Sequence, residues 1–175
     1  MRFAVLTDIH ANREAYEAVL ADAAMREIDR IAILGDIVGY GPDPEWCCDK
    51  TKDLVAEGAV CLRGNHDSAA SGVAESMNGM AQRAMDWTKN RLNAEQRRFL
   101  GQLPMTTELD DILLVHASAN DPGAWSYVTS DLRATGSFRA SRSRIILCGH
   151  VHVPMLVSCD RGGTVREQKF PMGLP

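Results

Sequence analysis

Long apolar runs are missing from this chain: no stretch approaches the ~20 residues of a membrane span, so a membrane partner is not expected. The opening run at residues 3–6 is also far too short for a secretory leader. A surplus of positive charge is missing as well. Nineteen Lys and Arg stand against 23 Asp and Glu, giving −4 and a pI near 5.7, which argues against an extended nucleic-acid surface. Paired cysteines are absent in the same sense. Cys47, Cys48, Cys61, Cys148 and Cys159 form an odd set with neither C-x-x-C spacing nor a disulfide framework. Cys61 and Cys148 sit in strand-like runs and are expected to be buried free thiols. Free thiols without a leader lead us to expect a reducing, cytoplasmic location.

What is present is enough apolar content, 45% of 175 residues, for one core and one domain spanning residues 1–175. Residues 2–7 form a continuous apolar run that predicts a strand buried on both faces, ending in Asp8 and His10. Asn12 opens a helical stripe through Ala15, Val19 and Ala23. A second run, residues 30–34, ends at Gly35 and Asp36, so a βαβ unit carries carboxylates at both strand ends. Two glycines and two prolines make residues 37–44 a loop, with Tyr40 either packed or lining a pocket. A helix over residues 45–57 leads to a third strand at residues 59–63. Residues 68–103 read as helical cover, with Asn93 a helix cap. The runs at residues 111–115 and 144–148 predict two more buried strands, and a hairpin follows around residues 161–163.

The five histidines, His10, His66, His116, His150 and His152, each lie just beyond a short apolar run. A scattered surface population would fall in helices as readily, so their placement argues for one shared site. Gly64, Asn65, His66 and Asp67 admit two readings, a solvated turn or a cluster of an amide, a proton donor and a carboxylate. If the strand ends remain extended, Asp8 with His10, Asn65 with Asp67, and His150 with His152 each face one side. In open α/β sheets, strand ends are where sites assemble. Asp8, His10, Asp36, Asn65, His116, His150 and His152 offer only oxygen and nitrogen donors, which suits two borderline divalent ions better than one. Asp36, alone on its strand end, is the natural bridge.

In this order, Asp-x-His, Gly-Asp, Gly-Asn-His-Asp, a strand-end His and Gly-His-x-His resemble the calcineurin-like metallophosphoesterases, and most closely their small bacterial members. The resemblance implies an α/β fold of two packed mixed β-sheets flanked by helices. It implies Asp8, His10, Asp36 and His152 on one metal and Asp36, Asn65, His116 and His150 on the other. His66 would be the acid meeting the leaving group, with Asp67 orienting its ring. The cofactors implied are two divalent transition-metal ions, manganese first, with iron, zinc, nickel or cobalt as alternatives. Such a pair lowers the pKa of a shared water, which becomes the nucleophile, and clamps the phosphoryl oxygens. Asn12, Arg63 and Tyr40 are candidate substrate contacts, although a helix cap, a solvated arginine and a packed ring are the favoured explanations.

The resemblance thus implies a phosphodiesterase on a small nucleotide-like or other phosphate ester. The alternatives are a phosphomonoesterase, a dinucleoside polyphosphate hydrolase, or a non-catalytic scaffold on the same fold. The family's strands beyond Gly-His-x-His, with their Asn-Pro-Gly-Ser segment, have no match before the sequence closes at residues 170–175. An incomplete second sheet is therefore expected, with an exposed edge through which a homo-oligomer would form.

Overall fold

The computed structural model describes residues 2–75 and 77–169; residues 170–175 lie outside this set. The first half is a βαβαβ unit. Strand β1 (Phe3–Leu6), helix α1 (Arg13–Ala24), β2 (Arg30–Ile33), α2 (Pro44–Ala56) and β3 (Val60–Cys61) follow in order. The strands form a parallel sheet in the order β1-β2-β3. Alternation along its central strand explains why the run is continuously apolar. Ile31 and Ile33 face a helix-covered cluster, while Ala32 and Leu34 face the second sheet. Helices α3 (Asn65–Ser71), α4 (Gly79–Arg91) and α5 (Ala94–Gln102) complete the cover, supplying Ala70, Met85 and Leu100 to that cluster.

The second sheet is mixed. Strand β4 (Thr106–Leu109) pairs antiparallel with β5 (Ile112–Val115), which pairs parallel with β6 (Ile145–Leu147). Leu114 and Leu147 pack against Leu34 and Leu62 of the first sheet. Between β5 and β6 lie a short 3₁₀ turn at Pro122–Ala124 and helix α6 (Asp131–Ala140). A hairpin of β7 (Leu156–Cys159) and β8 (Val165–Gln168) closes the described chain beside α6. The result is an α/β fold with one parallel and one mixed sheet packed together.

Several expectations need correction. Strand β1 is not buried on both faces: among the described residues it pairs with β2 alone, and Val5 is 44% exposed. Strand β6 likewise has only β5 as partner among the described residues, with Ile145 and Cys148 exposed; of the two strand thiols Cys61 is the buried one. The segment after β3 is a helix and not an extended turn, because Gly64 at its N-cap and the Asp67 carboxylate at N3 start a new helix at once. No helix among the described residues is long and apolar enough to cross a membrane.

Candidate metal centre

The C-terminal ends of five strands converge on one cavity. Asp8 and His10 follow β1, Asp36 follows β2, Asn65 follows β3, His116 follows β5, and His150 and His152 follow β6. The backbone that delivers them is bent and not extended. Asp8, His10, Asp36, His150 and His152 all have φ between +49° and +68°, a region costly for non-glycine residues and concentrated at functional sites. The extended backbone assumed from the spacing is absent at both pairs, although Asp8 and His10 still meet in one group. His150 and His152 in fact face different groups.

The first group surrounds His116. Its Nδ1–H donates to the Leu34 carbonyl at 2.8 Å, which leaves Nε2 as a bare lone pair. His150 uses Nε2–H on the Trp125 carbonyl at 2.9 Å, which leaves its Nδ1 bare. Yet His116 Nε2 lies 3.2 Å from His150 Nδ1, 3.2 Å from Asn65 Oδ1 and 3.4 Å from Asp36 Oδ2. Four lone pairs facing one another in a buried space are unfavourable unless a positive charge sits among them.

The second group repeats the arrangement. His152 Nε2 lies 3.2 Å from Asp8 Oδ1 and 3.1 Å from His10 Nε2, which is in turn 3.8 Å from Asp36 Oδ2. Asp36 stands between the groups. Its Oδ1 accepts the His66 backbone N–H at 2.8 Å, fixing the carboxylate so that Oδ2 faces both histidine sets. The other oxygen of Asp8 is held from two sides, by the Thr7 hydroxyl at 2.7 Å and the His150 N–H at 2.9 Å.

Protonation follows this geometry. Burial pushes the Asp36 carboxyl up, but the His116 ring and neighbouring histidines outweigh it and hold the group at about 2. Burial lowers His116, and the Asp36 carboxylate overcomes that to raise it to about 9. Without a metal, a proton takes the cation's place. Burial dominates at His10 and His150, which are both lowered, and it carries His66 down to about 4.

The remaining predicted residues divide. His66 lines the cavity, its ring 4.9 Å from that of His10, with Nδ1 buried against Gly39 and lacking a hydrogen-bond partner. A nitrogen of its ring also joins His10 and Asp36 in a third grouping within 4.8 Å. Asp67 does not orient that ring. Its Oδ1 accepts the N–H groups of Ile37 and Val38 and its Oδ2 that of Gly64, because helix α3 turns it away from its neighbour and into the β2 and β3 loops. Arg63 points elsewhere, onto the Gly101 carbonyl and the Met105 sulfur. Asn12 caps α1 by accepting from Ala15 N–H. Tyr40 does line the cavity, and Tyr127, unassigned from sequence beyond its loop, stands with it. Thr7 also went unassigned; nothing in its sequence context marks a hydroxyl aimed at Asp8.

The cavity, about 250 Å³, is lined by His10, Asp36, Tyr40, Asn65, His66, Tyr127, His150, Val151 and His152. It contains no lysine or arginine, so an anion would meet carboxylates unless cations intervened. The donor set thus fits divalent metals: imidazole, carboxylate and amide oxygen, with Asp36 Oδ2 3.4 Å from His116 Nε2 and 3.8 Å from His10 Nε2.

Comparison with known proteins agrees. Residues 1–167 match the calcineurin-like phosphoesterase superfamily domain. An uncharacterized protein of Methanocaldococcus jannaschii is 36% identical over 174 residues, 95% of this chain and 69% of that protein. The crystal structure of a metallophosphoesterase from Sphaerobacter thermophilus is similar at a TM-score of 0.76 and 38% identity, over 89% of this chain. This chain spans only 62% of that structure. A hypothetical protein from Pyrococcus horikoshii OT3 shares the fold, with a TM-score of 0.79 at 20% identity over 94% of this chain and 74% of that one.

The Asp67 contacts lead to a stability prediction. Asp67→Ala strands three backbone N–H groups and should cost about 3 kcal/mol or more, read from urea denaturation. A variant as stable as the parent would show that the carboxylate does not hold these loops.

Proposed function

This chain belongs to the calcineurin-like phosphoesterase superfamily, and we propose that it hydrolyses small phosphate esters, diesters first, at the cavity centred on Asp36. Asp8, His10, Asp36 and His152 would hold one divalent ion, and Asp36, Asn65, His116 and His150 the other. The observation that carries this reading is the convergence of imidazole nitrogens and side-chain oxygens on both sides of a single buried carboxylate. Bound cations supply a water of lowered pKa and neutralise phosphoryl charge.

The chain's own groups do the rest. Asp36 is fixed through Oδ1 and Asp8 through its contacts with Thr7 and His150, so the donors are set before any ligand arrives. His66 is placed to meet the leaving oxygen. Its pKa near 4 makes the ring neutral at neutral pH, contrary to the charged acid expected from sequence. With Nδ1 buried and unpartnered, the proton belongs on Nε2, leaving an N–H donor for the cavity. An entering anion raises that pKa by Coulomb attraction, so the ring takes up a second proton from solvent; as the ester bond breaks the imidazolium passes its Nε2 proton to the leaving oxygen and returns to the neutral form. No serine or cysteine nucleophile is required.

Three outcomes follow. Hydrolysis of bis(p-nitrophenyl) phosphate should exceed that of p-nitrophenyl phosphate and require added manganese; equal rates with a chelator present would defeat the reading. His66→Ala should lower turnover by roughly 10²–10⁴-fold with metal content retained by elemental analysis, whereas loss of the ions would make His66 a ligand. Binding a cation must expel the proton that His116 carries below about pH 9. Calorimetry at pH 7.5 in buffers of different ionisation enthalpy should therefore show release of about one proton, and affinity should climb as pH rises toward 9. Proton-neutral binding would contradict a proton held on His116 beside Asp36.

A further inference from the structure

The sequence contains three tyrosines, and their fates differ. Tyr16 is buried, with its hydroxyl on Thr51. The other two, Tyr40 at 51% and Tyr127 at 58% exposure, both line the metal-centre cavity. Neither ring hangs free. Tyr127 stacks on His150 with centroids 4.2 Å apart and planes at 16°, while Tyr40 leans on His66 at 4.6 Å and meets His10 edge-on at 4.9 Å.

The backbone holds Tyr40 there against its own preference. Its φ of +64° is rare for a bulky residue, and the flanking turn is pinned by Gly41 N–H to the His10 carbonyl and by Gly39 against the His66 ring. Solvent exposure of a strained, braced aromatic residue is a cost without compensation unless the ring has a ligand.

Resting on the hydrolase reading above, we propose that Tyr40 and Tyr127 form an aromatic rim that selects phosphate esters carrying a planar group, a nucleoside or an aryl alcohol, over those of sugars and simple alcohols. Size favours this division of labour. A cavity of about 250 Å³ is below the ~300–1,000 Å³ of pockets that enclose a whole organic ligand. The phosphoryl group and adjoining atoms fill it, and the remainder of the ester lies outside it, with the two rings standing at the mouth. Both rings have a braced face and a large exposed surface. Stacking on such rings accepts any base, so the rim sets a class and not a sequence or a single nucleobase.

The test compares adenosine 5′-monophosphate with ribose 5-phosphate, which share a phosphate and a ribose and differ by the base. Manganese-loaded protein is titrated with each by calorimetry, alongside the diester hydrolysis assay. The adenosine compound should bind at least about tenfold more tightly. That ratio should fall toward one in the double variant Tyr40→Leu with Tyr127→Leu, and should survive Tyr40→Phe with Tyr127→Phe, since the ring and not the hydroxyl is used. Equal affinities in the parent protein, no detectable binding of adenosine monophosphate, or a ratio that persists in the leucine variant would each overturn the proposal. Hydrolysis without base selectivity rejects the rim and leaves the hydrolase reading standing. Base-selective binding without hydrolysis does the reverse.

Discussion

A buried carboxylate with histidines but, among the described residues, no lysine or arginine paired to it is the constraint on which this structure turns. Asp36 is 1% exposed and sits where the loops of both sheets meet. Its charge is stabilised by a backbone N–H on one oxygen and by histidine rings on the other. Burial of an unpaired charge would cost several kcal/mol, so the surroundings are built to supply compensation that is mobile: a proton or a metal ion. A fixed arginine would have satisfied Asp36 equally well and would have left nothing to exchange.

The loops around Asp36 show how closely the backbone has been drawn in. A Cβ on Gly64 would strike the Asp36 carboxylate, and one on Gly149 would strike Thr7 beside Asp8. These contacts are reinforced by Asp67, whose carboxylate draws the N–H groups of the loop after β2 and of the β3 end into one hydrogen-bonded unit. Burial, and then the negative Asp36, push the Asp67 carboxyl up to about 7 against the pull of those donors. The two carboxylates thus act differently despite being near neighbours. One faces histidines and the cavity, and the other is spent on backbone.

Much of this was legible in the chain because strand ends leave a strong trace. A short apolar run followed by Asp, Asn or His is visible at β1, β2, β3, β5 and β6, and the structure brings those polar residues together. What escaped was whatever depends on local backbone geometry. Spacing of two residues implied a shared side for His150 and His152, but left-handed φ values at both send them to different groups, while Asp8 and His10 meet in one group through a bent and not an extended backbone. Helix α3 begins so soon after β3 that Asp67 turns away from His66, and the Asp67 partners are backbone groups that have no side-chain signature. Strand β4, Thr-Thr-Glu-Leu, is too polar and short to stand out, and α6 has only Ala134 and Ser137 buried. Asn12 resolves into its helix cap, whereas Arg63 is neither a substrate contact nor a solvated arginine: it is half-buried on the Gly101 carbonyl and the Met105 sulfur.

The hydrogen bond from His116 to the Leu34 carbonyl crosses between the two sheets. Asp8, His10, Asp36 and Asn65 belong to the N-terminal half, and His116, His150 and His152 to the C-terminal half, so neither half owns a complete donor set. Were these residues to hold ions as proposed, ion capture would be a checkpoint on assembly. A chain whose halves have collapsed separately, or docked a few ångströms out of register, offers an incoming cation only fragments of a coordination shell.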